Sequence, residues 1–209
     1  MTIRAVAYPP EVPSPVRMFS SPRRVLRFGL GSALFLGSFV EAKGGRLPAY
    51  EERIFRGVNG ASHRLRIPVR AIMQAGTFAT VPVVSAVALL AGRRRLAVSL
   101  LASGTAAWLG AKAAKPLAGR ARPEAVLGGV QVREGITGDL GWVSGHMAVA
   151  TTLAYVGGDA VPRWARPLFL AVAGITGYGR MYVGAHLPHD VVGGAGLGMM
   201  ISALVPPQE

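Results

Sequence analysis

Residues 71–92 read AIMQAGTFATVPVVSAVALLAG, 22 positions without a charged side chain. A helix rises about 1.5 Å per residue, so such a run can cross a hydrocarbon layer of about 30 Å. Arg93, Arg94 and Arg95 follow at once, and a second uncharged stretch, Leu96 to Ala111, begins directly behind them. Two apolar runs joined by a three-residue basic turn predict a membrane hairpin.

Four more apolar stretches flank it: Val25 to Val40, Gly145 to Gly158, Pro167 to Gly179, and Val191 to Gln208. Only the last of these reaches the length of about 18 that spans unaided. The shorter runs need flanking Arg, Lys or Trp to complete a crossing, and Arg27 is placed to snorkel. The pattern predicts an all-α fold, a polytopic membrane helix bundle of about six transmembrane helices. Its termini share one side. Gly193, Gly194, Gly196 and Gly198 give the last helix a small-residue face for close packing. Met1 to Arg24 holds five prolines and no apolar run, and reads as a flexible tail before a domain over 25–206. Between the first two spans, Ile54, Phe55, Val58, Ala61 and Leu65 recur at helical spacing among charged residues. This suits a helix on the membrane surface, or equally a solvated connecting helix.

Composition agrees with a membrane location. Of 209 residues 51% are hydrophobic and only 16% charged, yet 23 Lys and Arg against 10 Asp and Glu leave a net charge of +13. A nucleic-acid-binding chain spreads such charge over a polar sequence, whereas here it punctuates apolar runs. No cysteine is present, which excludes disulfides. With the N-terminus inside, ten of the basic residues fall inside and thirteen outside, so the charge count does not settle the orientation. The short Arg93–Arg95 turn favours the cytoplasm. Trp108, Trp142 and Trp164 fall near span ends, where interface anchoring is expected.

Three polar clusters fall at the ends of spans opposite that turn. They are KPLAGRARP with Lys115 and Arg122, GWVSGHMAV with Ser144, Gly145 and His146, and GRMYVGAHLPHD with Arg180, His186 and Asp190. Alone, each has an ordinary explanation as an interface anchor, a helix cap or a satisfied pair. Six spans bring all three to one face, where Lys115, Arg122 and Arg180 supply cationic donors for phosphate oxygens. Ser144 and Gly145 open a helix whose free N–H groups favour an anion. His186 and Asp190 are four apart, so the carboxylate can hold the imidazole tautomer. His186 is then available to attack phosphorus and His146 to protonate the leaving oxygen. This combination calls for no metal or other cofactor. His189 belongs to no cluster and reads as interfacial; His63 reads as solvated.

At these residues the sequence resembles the type 2 phosphatidic acid phosphatase superfamily, whose membrane branch dephosphorylates lipid phosphates and diphosphates. The family pattern is Lys, six residues, Arg-Pro; then Pro-Ser-Gly-His; then Ser-Arg, five residues, His, three residues, Asp. Lys115 and Arg122-Pro123 fit the first part. Ser144, Gly145 and His146 fit the second, with Val143 for its proline. Arg180, His186 and Asp190 fit the third, with Gly179 for its serine. The resemblance implies His186 as nucleophile through a phosphohistidine intermediate, Asp190 as its partner and His146 as acid. It makes Lys115, Arg122, Ser144, Gly145 and Arg180 phosphate ligands. It implies a multi-pass plasma-membrane enzyme with its site outside, acting on a lipid phosphate among membrane lipids. Polyprenyl diphosphate is favoured over phosphatidylglycerophosphate or phosphatidate. Soluble haloperoxidases share these motifs, but not so apolar a chain. A transporter or assembly factor with a vestigial site would be expected to have lost a motif histidine, and both are present.

Overall fold

The computed structural model describes residues 21–135 and 138–207. Among these, secondary structure is helical throughout, with a single isolated β-bridge between Ala121 and Leu140. The helices are α1 (Pro22–Lys43), α2 (Ala49–Asn59), α3 (Arg66–Met73), α4 (Thr80–Leu90), α5 (Arg94–Ala118), the short α6 (Pro123–Val126), α7 (Gly145–Asp159), α8 (Arg166–Tyr182) and α9 (Pro188–Leu204). The tail assigned to residues 1–24 lies mostly outside the described residues. Pro22 to Arg24, however, already form the first turn of α1, where Pro22 carries the fixed φ that suits a first helical position.

By length and hydropathy α1 and α5 can each cross a membrane alone. The stretch 71–92 does not form the single straight helix its composition predicts. Together with the preceding residues it makes α3, a short 3-10 turn at Gln74–Gly76, and α4, bent by 69°. The break has a local cause. The Thr77 and Thr80 hydroxyls donate to the Gln74 carbonyl at 2.8 and 2.7 Å, offering the backbone an alternative to continuing the helix. Gly76 then packs against α7 so closely that a Cβ there would meet the His146 carbonyl oxygen at 2.5 Å.

The bundle is centred on α7 and α9. Helix α9 packs on α1 and on α7, and α7 packs on α5 and α8. The expected small-residue face of α9 exists and serves two neighbours. A Cβ on Gly196 would lie 2.6 Å from the Gly31 carbonyl of α1, and one on Gly194 would lie 2.5 Å from the Ser144 carbonyl. Trp142 departs from expectation. It is fully buried rather than interfacial, with its ring 5.0 and 5.3 Å from those of Phe35 and Phe39, and its Nε1 donates to Ser38. A large ring whose one polar atom is satisfied is a sound core residue, and proximity to a span end does not reveal that partner. Trp164, 83% exposed, fits an anchor. In α2, Phe55 is buried and Ile54 exposed, so this amphipathic helix docks one face on the bundle.

At one end of the bundle Arg27 pairs with Asp159, Arg24 donates to the Ala203 and Val205 carbonyls, and Arg93 donates to the Ala160 carbonyl. The C-termini of α5 and α8 and the N-termini of α7 and α9 meet at the other end. That is where the polar clusters lie.

Candidate active site

These four helix ends enclose a cavity of about 380 Å³. Lys115, Arg122, Gly145, His146, Arg180 and His186 line it, so six of the eight residues singled out from sequence share one space. The other two stand directly behind its wall. Ser144 is fully buried and caps α7, its hydroxyl accepting from the Met147 N–H, while its own N–H donates to the Asp190 carbonyl at 2.9 Å. That bond ties the start of α7 to the start of α9. Leading N–H groups of a helix lack intrahelical partners, and here they belong to Gly145 and His146 at the cavity wall.

Each cation is anchored before any ligand arrives. Lys115 Nζ donates to the carbonyls of Leu140 and Gly141 at 2.9 and 3.2 Å. Arg122 donates through Nε to Gly138 and through Nη1 to Ala185, at 2.6 and 2.8 Å. Burial holds its guanidinium below the ordinary value, against the pull of Asp190, Glu124 and Asp139, and arginine stays charged regardless. Arg180 pairs with Glu134 at 3.2 Å, and its buried Nε has no hydrogen-bond partner among the described residues. Glu134 also lines the cavity and was not foreseen from sequence.

His186 lies in the short connection between α8 and α9, 3% exposed. Its Nδ1 faces Asp190 Oδ2 at 3.5 Å and makes no hydrogen bond at that distance. Burial, then the positive charges of Arg180, Lys115 and Arg122, push its pKa well below the usual histidine range. The ring is therefore neutral near pH 7, with a lone pair to offer. Asp190, in the first turn of α9, accepts the Leu187 N–H on Oδ2 at 2.9 Å, and Gly141 leaves room for it, since a Cβ there would lie 2.8 Å from that oxygen.

Behind Asp190 lies a network that spacing did not reveal. Arg120 donates to Glu51 at 2.6 and 2.9 Å and to Asp190 Oδ1 at 3.2 Å. Glu51 is fully buried and accepts the His189 backbone N–H at 2.9 Å, with His189 Nδ1 3.1 Å from its other oxygen. His189 is thus held between Glu51 and Tyr50 and is not a free interfacial residue. The Glu51 hydrogen bonds and the Asp190 charge raise the Arg120 pKa, outweighing a larger single effect of burial in the opposite sense. Asn59 acts as a fastener, bonding Gln131, Met181 and Tyr182 and so holding the loop beside the cavity. Glu51 and Asn59 sit eight apart in the amphipathic segment; a carboxylate on the same side as buried Phe55 was the available signal.

The model of the PAP2 superfamily matches residues 94–208, more than half of the chain and all three motifs. The chain belongs to the PAP2 superfamily. Among its relatives, the undecaprenyl-diphosphatase of Sulfolobus acidocaldarius is 28% identical over 124 residues, which are 59% of this chain and 60% of that protein. Two solved structures are similar in fold. LpxE of Aquifex aeolicus has a TM-score of 0.66 at 21% identity, covering 74% of this chain and 93% of its own. The transmembrane PAP2-type phosphatidylglycerolphosphate phosphatase of Bacillus subtilis has a TM-score of 0.67 at 21% identity, covering 84% and 93%. This PAP2 chain shares the fold of both. Where the family has serine, Gly179 lets α3 approach: a Cβ there would meet Val69 and the Met73 sulfur at 3.1 and 3.2 Å.

Proposed function

We propose that this PAP2 protein is an integral-membrane phosphatase that removes the terminal phosphate of a lipid phosphate, a polyprenyl diphosphate in preference to phosphatidylglycerophosphate or phosphatidate. The observation that carries the reading is the enclosure of Lys115, Arg122, Arg180, His146 and His186 in one cavity, with Asp190 behind His186. The first three and the N–H groups at Gly145 hold the phosphoryl oxygens. Ser144 acts here by fixing the α7 start against Asp190. His186 Nε2 attacks phosphorus; the bond from phosphorus to the leaving oxygen breaks, and His146 gives that oxygen a proton. Asp190 steadies the imidazolium character that develops on His186. Water then attacks the phosphohistidine, surrendering a proton to His146, and inorganic phosphate leaves. Preorganised cations stabilise the charge that builds on the phosphoryl oxygens.

An apolar cavity of about 280 Å³, lined by Ala75, Val84, Leu153 and Phe169 among others, suits a lipid chain on the bundle side of the same α3–α4 elbow. The name of the Sulfolobus relative supports a prenyl diphosphate as substrate. The site faces the exterior of the plasma membrane and the Arg93–Arg95 turn the cytoplasm, which suits a carrier lipid left outward after delivering its cargo. The test is phosphate release by purified protein in detergent from prenyl diphosphate, phosphatidylglycerophosphate and phosphatidate. Release from the first at the highest kcat/KM supports the reading, and release from none overturns it.

A further inference from the structure

Trp108, Lys112 and Lys115 follow one another along α5 at spacings of four and three, so they form one helix face, and all three line the cavity. Their order matters. Lys115 lies at the His186 end, its Nζ bound to the carbonyl of Gly141, the same residue that contacts the His186 ring. Lys112 lies one turn back along the helix, about 4.5 Å away along the axis, and Trp108 about 6 Å further. The Lys112 ammonium rests 3.7 Å from the centre of the Trp108 ring, and Phe78 from the far side of the elbow stacks on that ring at 4.6 Å and 29°. Among the described residues no ion pair neutralises Lys112, whereas Arg180 is met by Glu134. The motif assigned from sequence stops at Lys115 and gives Lys112 no role.

We propose that Lys112 is the subsite for the second, retained phosphate of a lipid diphosphate, and that it selects diphosphates over monophosphates. This rests on the phosphatase reading above and adds the substrate class. The face is ordered as the substrate is. The transferred phosphoryl sits with Lys115, Arg122 and Arg180. The retained phosphate, joined to it by one bridging oxygen, reaches Lys112 within one helical turn. The first apolar carbons of the tail meet the Trp108–Phe78 pair. When His186 Nε2 bonds to the terminal phosphorus, the bond from that phosphorus to the bridging oxygen breaks. The oxygen leaves on the lipid monophosphate and receives the His146 proton. Charge that accumulates on this leaving phosphate lies beside Lys112, so the ammonium acts in the transition state as well as in binding. The Trp108 ring face holds the exposed ammonium without an ion pair among the described residues, so moving to a phosphate costs it little.

The experiment compares kcat/KM for farnesyl diphosphate and farnesyl monophosphate, which share one tail, in the wild type, Lys112→Gln and Lys112→Arg. One charge-assisted contact is worth about 10- to 100-fold. The diphosphate-to-monophosphate ratio should fall by that factor in Lys112→Gln and be largely kept in Lys112→Arg. Lys112 is exposed, so the glutamine variant has no core to disturb. An active Lys112→Gln enzyme with the wild-type ratio would overturn this inference and leave the phosphatase reading intact. A wild-type protein that hydrolyses neither compound would overturn this inference, and one that also leaves phosphatidylglycerophosphate and phosphatidate intact would overturn the phosphatase reading.

Discussion

Replacing Glu51 by glutamine removes the charge from a fully enclosed carboxylate outside the cavity. The Glu51 side chain has no exposure and that of Arg120 only 8%, and the pair makes two contacts at 2.6 and 2.9 Å. Breaking a buried pair by neutralising one member costs about 3–5 kcal/mol, because the other charge stays behind without compensation. In a chain of this size each kcal/mol moves Tm by about 2–4 °C, so Glu51→Gln should unfold about 6–20 °C earlier in detergent. Catalysis should suffer separately. Arg120 Nη1 already divides itself between Glu51 and Asp190 Oδ1. Released from Glu51, it closes on Asp190 and draws the carboxylate from His186. We expect kcat to fall about 10- to 100-fold, the usual cost of losing a partner that orients a reacting group, with a smaller change in KM. Thermal unfolding and steady-state turnover on the same samples read both effects. The double variant Glu51→Leu with Arg120→Met should recover neither stability nor activity, since removing Arg120 leaves the buried Asp190 carboxylate without its cation. A Glu51→Gln protein within about 2 °C of wild type, at unchanged kcat, would refute the reasoning.

Three further outcomes follow from the site. The depressed His186 pKa keeps the imidazole neutral below the ordinary histidine range, so under the proposed mechanism activity should hold from pH 7 to pH 6. At lower pH the unfolded chain takes up a proton at position 186 that the folded site refuses, so stability should also fall as pH falls; a steep activity loss centred near pH 6.5 would contradict this. Because cations line the cavity, hydrolysis should survive chelators and be inhibited by vanadate, which mimics a five-coordinate phosphoryl group; restoration by a divalent ion after EDTA would point to a metal site instead. Single cysteines at Gly128 and Arg94, both exposed in this cysteine-free protein, should label oppositely: an impermeant thiol reagent on intact cells should reach position 128 and miss position 94, and a reversed pattern would move the chemistry to the cytoplasm.

The helices and the cavity residues were legible because they rest on local rules: apolar runs set the bundle, and fixed spacings set Lys115, Arg122, His146, Arg180 and His186 at helix ends. What escaped depended on partners distant in the chain. The bend at Gln74–Gly76 arises from threonine hydroxyls and from the close approach of Gly76 to His146, neither of which alters a count of uncharged residues. Trp142 is buried because Phe35, Phe39 and Ser38 wait for it more than 100 positions earlier. Glu51 and Arg120 look like surface charges until the fold joins them across 69 positions.

The central claim is that phosphate passes through His186. The most direct measurement is a rapid acid-free quench of the purified protein turning over a radiolabelled prenyl diphosphate, followed by mass spectrometry of the peptide containing His186. The account predicts a phosphoryl group on that imidazole during turnover, and neither label nor phosphate release in His186→Ala. Sustained turnover by a folded His186→Ala protein, or label on any other residue, would contradict it.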